Sequence, residues 1–126
     1  MGKTGATGLT RVWNAFFYSL AGIRDCWKHE AAFRQECLLS IILFPVAFWV
    51  GDNITDYVLL IACLFIVLIT ELMNSAVEAI VDRVSMDHHA LSGRSKDMAS
   101  AAVLFSILMT VFVWGAIAWK NYAHLL

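Results

Sequence analysis

The stretch Tyr57–Thr70 (YVLLIACLFIVLIT) carries no charge, and Glu71–Arg83 (ELMNSAVEAIVDR) follows it with two glutamates, an asparagine and an aspartate. Fourteen residues of helix reach about 21 Å, short of the ~30 Å hydrocarbon core of a bilayer. A helix that crosses must draw about six more residues from the acidic stretch. That sets Glu71 inside the hydrocarbon edge and Glu78 near the interface. At 100° per residue, Glu71, Asn74, Glu78 and Asp82 fall within an arc of about 80°. Ser75 borders this stripe, and Leu72, Met73, Val77, Ile80 and Val81 cover the rest of the helix. The Val, Leu, Ile and Phe residues of 57–70 favour insertion by about 3–6 kcal/mol in total, while one central carboxylate costs about 3. One buried acid is tolerable; a row of them calls for a polar partner or a bound ion.

The whole chain suits a membrane. Its 126 residues allow one domain, and they are 60% hydrophobic and 15% charged, with a mean hydropathy of +0.71. Soluble domains are roughly 45–50% apolar, and a fold this small lacks the interior to hide the excess. The net charge of −1 and the absence of a basic cluster exclude a nucleic-acid footprint. Cys26, Cys37 and Cys63, odd in number and far apart, read as reduced and structural. The amino-terminal "MGKTGATGLTR" has no apolar core behind it and is no cleavable signal. Its "GKT" lacks the upstream glycine and preceding strand of a phosphate-binding loop.

Around the acidic stretch three further segments take shape. In residues 11–28, Trp13, Phe16, Leu20, Ile23 and Trp27 recur three and four apart, opposite Asn14, Tyr18, Asp25 and Lys28. This is the pattern of an amphipathic helix lying on a membrane surface. Residues 37–51 (CLLSIILFPVAFWVG) reach only about 22 Å, so that crossing extends back through "AAFRQE" to about residue 31. Pro45 removes one backbone hydrogen bond, which neighbouring helices compensate. "GDNITD" (51–56) is a tight polar turn, the second crossing covers about 54–83, and the third about 97–120. The expected architecture is all-α, a single membrane-embedded domain with three crossings and a surface helix.

Eight of the nine Lys/Arg residues flank one side: Lys3, Arg11, Arg24, Lys28 and Arg34 before the first crossing, and Arg83, Arg94 and Lys96 in the connection 83–97. Only Lys120 lies on the other. The positive-inside rule makes the amino terminus and the 83–97 loop cytoplasmic and the carboxyl terminus external.

Carboxylate and amide oxygens at that interface suit Mg²⁺, which takes one or two carboxylates plus substrate phosphates. Zinc is a poorer fit, and the adjacent His88 and His89 would diverge on a helix. Glu30, in "KHEAAFRQE", sits at the same interface as Glu78, so two carboxylates from different helices could hold a metal–phosphate group. The simpler alternatives are hydrogen-bond glue for Glu71 and Asn74, and a surface ion pair between Glu30 and Arg34.

"EAAFRQE" (30–36), "ELMNSAVEAIVDR" (71–83) and "LSGRSKDMASAAVL" (91–104), in that order, resemble the signatures of the small prokaryotic diacylglycerol kinases. The resemblance implies a homotrimer in the bacterial inner membrane with active sites between protomers. It further implies transfer of the ATP γ-phosphate to diacylglycerol, giving phosphatidic acid, with Mg²⁺ as cofactor. Carried over by motif, Glu71 would be the base and Glu30 and Glu78 the metal ligands. Arg11, Tyr18, Lys96 and Asp97 would contact ATP together with Asp87, His88 and His89. Arg11, Arg34, Glu36, Glu71, Ser100 and Trp114 would bind the lipid substrate, Ser100 and Trp114 lining its approach, and Asn74 and Asp82 would support the site. Asn14, Phe16, Phe17, Ala21 and Ala90 depart from the family pattern and bear on nucleotide affinity and the lipid groove. Some relatives phosphorylate undecaprenol, but "LSGRSKD" is more similar to the diacylglycerol branch. An ion-conducting subunit would account for Glu71 but leaves Glu30, Lys96 and Asp97 unused. Ser75, Ala79 and "ASAA" (99–102) allow the close helix contacts of a trimer.

Overall fold

The computed structural model describes residues 5, 7–84 and 86–126, so the "GKT" triplet and Lys3 lie outside the described residues. The described residues form four helices and no strand: α1 (Gly8–His29), α2 (Ala31–Val50), α3 (Ile54–Val84) and α4 (Ala90–Tyr122), with a 3-10 turn at Ala123–Leu125. Three segments, Ala31–Val50, Ile54–Val84 and Ala90–Leu125, are long and apolar enough to cross a membrane. α1 begins three residues before the amphipathic period, at Gly8, whose φ of 63° is a left-handed value that glycine takes without a Cβ clash.

α3 and α4 form the central hairpin, and polar groups mark its register. Reading along α3, Lys120 Nζ meets Asp56 (2.7 Å), Trp114 Nε1 donates to the Leu60 carbonyl (3.2 Å), and Thr110 Oγ1 to that of Cys63 (3.5 Å). Thr70 then meets Ser106 (2.9 Å), and Asp82 meets Lys96 (2.6 Å). The partners advance along one helix as they retreat along the other, so the pair is antiparallel in one register throughout. α2 packs on this hairpin through a small core of Ala47, Leu60 and Ile117, flanked by Val50, Ile61, Val113 and Trp114. Little else is enclosed. Trp49, Phe65, Phe105, Phe112 and Trp119 are each more than half exposed, as side chains facing lipid or other copies would be.

At one end the three long helices finish flush. Asn121 Nδ2 donates to the Val50 carbonyl (2.9 Å) and to Asp56 Oδ2 (3.0 Å), and the Tyr122 hydroxyl donates to the Trp49 carbonyl. Asp56 is 4% exposed; Lys120 spans both its oxygens, and the Asp52 backbone N–H adds a fourth bond. Asn53 Oδ1 accepts from the Asp56 N–H at the start of α3. Gly51 must be glycine here, since a Cβ would stand 2.8 Å from the Tyr57 ring. The sequence alone presented this stretch as a polar turn and concealed its reach to α4.

At the opposite end the connection expected over 83–97 is mostly helix. α3 persists to Val84 and α4 begins at Ala90, so Arg83, Arg94, Lys96 and Asp97 are carried on helices, not on a loop. Ser and Gly in "LSGRS" are weak helix formers, but His89 caps the helix by accepting from the Leu91 N–H (3.1 Å). The Gly93 N–H closes on the His89 carbonyl (3.0 Å). His88 and His89 therefore stand in a short connection, not on a helix.

A single residue separates α1 from α2. Glu30 is extended (φ −116°, ψ 109°) and is at once the last cap of α1 and the first of α2. Its N–H closes on the Cys26 carbonyl (2.8 Å), and its own carbonyl accepts from the Arg34 N–H (3.3 Å).

Candidate functional site

The acidic stripe of α3 lies where α1 and α2 meet it. Glu71 is only 5% exposed, and Asn74, one turn on, hydrogen-bonds it. Cys26 docks α1 on α3 through its Sγ, 3.5 Å from Ser75 Oγ, and is itself 7% exposed. Burial pushes the Cys26 thiol up, the Ser75 hydrogen bond opposes this, and the charges of Glu30, Glu71 and Glu36 push it further. The thiol thus feels carboxylates from the α1–α2 junction, α2 and α3. Glu36 Oε2 and Asn74 Oδ1 are enclosed without a hydrogen-bond partner among the described residues.

Glu30 is half-buried. Among the described residues its side chain makes no capping hydrogen bond although it stands at a helix start, so the cap leaves its carboxylate available to a ligand. It lines a cleft of about 340 Å³ with Cys26, Ser75, Ala76 and Ala79, which puts it level with the middle of the stripe. Both Glu78 and Glu30 act electrostatically on Glu71. The donor set fits Mg²⁺. Carboxylate and amide oxygens with spare acceptor capacity are present, and the described residues contain no preformed cluster of three His, Cys, Asp or Glu ligands. An ion that leaves most positions to water and phosphate needs none.

Beyond the stripe, Asp82, Asp87, His88, His89 and Lys96 line a second cleft of about 290 Å³. Asp82 Oδ1 holds Lys96 Nζ at 2.6 Å, which fixes the ammonium at the mouth of the connection. Asp97 and Ser100 are exposed on α4.

Other expected site residues are not gathered by one chain. Arg11 and Tyr18 are exposed on α1, about 28 and 18 Å of helix before Glu30. Trp114 donates to the Leu60 carbonyl, about 16 Å of helix from the level of Glu71 toward the Asp56 end. Arg34 forms no ion pair with Glu30 among the described residues. Its Nη1 turns back to the Trp27 (2.7 Å) and Lys28 (3.2 Å) carbonyls that end α1. The sequence reading missed this contact and the Cys26–Ser75 contact. An arginine one turn after a helix boundary is the signal that pointed to the first.

Fold and site together define a small all-helical protein, apolar enough to cross a membrane three times, with a carboxylate cluster at one end of its central hairpin. The family model of prokaryotic diacylglycerol kinase matches residues 17–118. Similar proteins named diacylglycerol kinase come from Escherichia coli strain K12 (44% identical over 116 residues, 92% of this chain and 95% of that protein) and Pseudomonas aeruginosa (47% over 113 residues, 90% and 92%). A third, from Helicobacter pylori strain J99, is 36% identical over 110 residues, covering 87% of this chain and 86% of that protein. The chain belongs to the prokaryotic diacylglycerol kinase family.

Proposed function

We propose that this kinase transfers the γ-phosphoryl group of ATP to the free hydroxyl of 1,2-diacylglycerol, giving phosphatidic acid, as a homotrimer in a bacterial inner membrane. The observation that carries this reading is the two-level placement of acids on α3. Glu71 is buried against the apolar stretch that precedes it, while Glu78 and Asp82 lie two and three turns nearer the polar connection. A lipid hydroxyl at the membrane edge and a nucleotide from water meet between those levels.

Glu71 takes the proton of the lipid hydroxyl on its carboxylate as that oxygen closes on the γ-phosphorus, the bond from that phosphorus to the β–γ bridging oxygen breaks and ADP leaves, and Asn74 holds Glu71 in place. Glu30 and Glu78 would hold Mg²⁺, which neutralises triphosphate charge when bound. Lys96, steadied by Asp82, binds phosphate oxygens, with Asp97 and the Asp87–His89 connection around the rest of the nucleotide. Glu36 and Ser100 face the lipid headgroup. Trp114, about three turns deeper than Glu71, suits an acyl chain. Arg11 and Tyr18 stand too far along α1 to reach their own chain's Glu30, so they complete the site of a neighbouring protomer. α1 lies on the membrane surface, with Trp13, Phe16, Leu20, Ile23 and Trp27 toward lipid.

Labelled ATP offered with diacylglycerol, ceramide and undecaprenol should yield phosphatidic acid as the main product; undecaprenyl phosphate in its place would reassign the substrate. In the same preparation Glu78→Gln should abolish Mg-ATP binding by calorimetry as well as turnover, whereas Glu71→Gln should abolish transfer and keep binding. The reverse pattern inverts the two roles.

Orientation follows the cations: the amino terminus is cytoplasmic and the carboxyl terminus periplasmic. The one cation of the far end, Lys120, is engaged by Asp56 and Asp52, which leaves that end without a free positive charge. A reporter fused after Leu126 should be active in the periplasm only; cytoplasmic activity rejects this topology.

A further inference from the structure

The end of a helix leaves carbonyl oxygens without partners and a partial negative charge. α1 ends at His29 against the start of α2, with no room for a glycine-based cap, because only Glu30 intervenes. The unpaired oxygens of its last turn include those of Trp27 and Lys28. Arg34 Nη1 reaches both, at 2.7 and 3.2 Å. Its backbone N–H also closes on the Glu30 carbonyl (3.3 Å). One arginine from the first turn of α2 therefore grips the end of α1 across the residue between them. Glu30 is otherwise tied only through its backbone N–H to the Cys26 carbonyl (2.8 Å), and its side chain makes no capping bond.

We propose that Arg34 is a positioning residue for the metal–nucleotide side of the reaction: it locks the α1–α2 junction and so fixes where the Glu30 carboxylate stands. This rests on the reading of Glu30 as a metal ligand. A guanidinium suits the task because its Nη1 carries two N–H donors held in one plane that reach the two carbonyls, and it keeps its charge at any working pH. Its bonds are charge-assisted and outweigh neutral ones. With Arg34 removed, α1 hinges at the extended Glu30, and two things move together. Glu30 leaves the level of the α3 stripe, and Cys26, four residues back, lifts away from Ser75.

Cys26 makes the lock measurable. It is enclosed in the intact protein, and loss of docking exposes its thiol to reagents in water. The experiment uses the full-length protein in mixed micelles with Cys37→Ser and Cys63→Ser, so that Cys26 alone reacts with a water-soluble maleimide. Arg34→Gln should raise the labelling rate about tenfold and weaken Mg-ATP binding about tenfold, while the KM for diacylglycerol stays within about twofold. Arg34→Lys, which keeps the charge on a shorter side chain without the planar donors, should recover part of both effects. It also serves as the readout if Arg34→Gln proves too unstable to purify. Unchanged Cys26 labelling and Mg-ATP affinity, with a raised KM for diacylglycerol, would overturn the proposal and return Arg34 to the lipid. The underlying reading fails separately: Glu30→Gln with undiminished Mg-ATP binding removes Glu30 from the metal, whereas Cys26 labelling still reports whether Arg34 locks the junction.

Discussion

Asp56 and Glu71 are both carboxylates of α3, fifteen residues apart, and both are almost fully enclosed, at 4% and 5% exposure. Their surroundings are opposite. Asp56 is bound through both oxygens by Lys120, and by Asn121 and a backbone N–H. Glu71 has an amide beside it and the charges of Glu78 and Glu30 around it, and no ion pair reaches it among the described residues. A buried charge whose partners are complete ties parts of a structure together, and losing one partner is strongly destabilising. A buried charge left among like charges is held at a cost until a cation or substrate arrives, which is the mark of a working group. On the proposed reading, one helix carries a fastening at one end and a reaction at the other.

The sharpest way to break this contrast is Glu71→Gln. Turnover should fall by about 10²–10⁴, the usual worth of a general base, and the melting temperature in micelles should hold or rise, because a repelled charge has gone. A lower melting temperature with activity retained would make Glu71 structural glue, as the simpler sequence reading had it. At the other end the pattern should reverse. Lys120→Met strands the enclosed Asp56 and should lower the melting temperature by several degrees, with specific activity per folded protein unchanged. Asp56→Asn strands only Lys120, whose side chain is 52% exposed, and should cost less. If Asp56→Asn is the worse of the two, the weight lies in the Asn121 and backbone contacts. Smallest is the middle of the hairpin, where Thr70→Val removes the hydroxyl facing Ser106. It should cost about 0.6 kcal/mol, the average for such contacts between membrane helices. A larger loss would show that the α3–α4 register is held at its centre and not at its ends.

The reaction end was more legible in the sequence than the fastening. Glu71, Asn74, Glu78 and Asp82 repeat at helical spacing on one chain segment, so their common face follows from period alone. The three apolar helices follow from composition and length in the same way. Asp56 and Lys120 are 64 residues apart and meet only because α3 and α4 pack in one register. Nothing local announces that. The helical state of 90–97 was hidden for a related reason: a histidine cap and contact with α3 outweigh the weak propensity of Ser and Gly. Arg34 was visible as a partner for Glu30 by spacing, but the break at Glu30 redirects it to carbonyls, and carbonyls leave no trace in a sequence.

α2 has 20 residues, α3 31 and α4 33, and they end flush at Asn121. At 1.5 Å per residue, α3 and α4 therefore project about 16–20 Å past the start of α2. An anionic bacterial leaflet at about −30 mV repels Mg-ATP, with roughly two net negative charges, by about 1.4 kcal/mol at the surface, a tenfold depletion. That depleted layer decays over about 8 Å. On the proposed reading, the overhang carries the mouth of the nucleotide cleft to about twice that distance, into fluid where ATP is at its bulk concentration. The extra turns would then act as a mast: the first encounter with ATP would be nearly indifferent to how much anionic lipid the membrane holds, whereas the phosphates passed down to the level of Glu30 would still feel it.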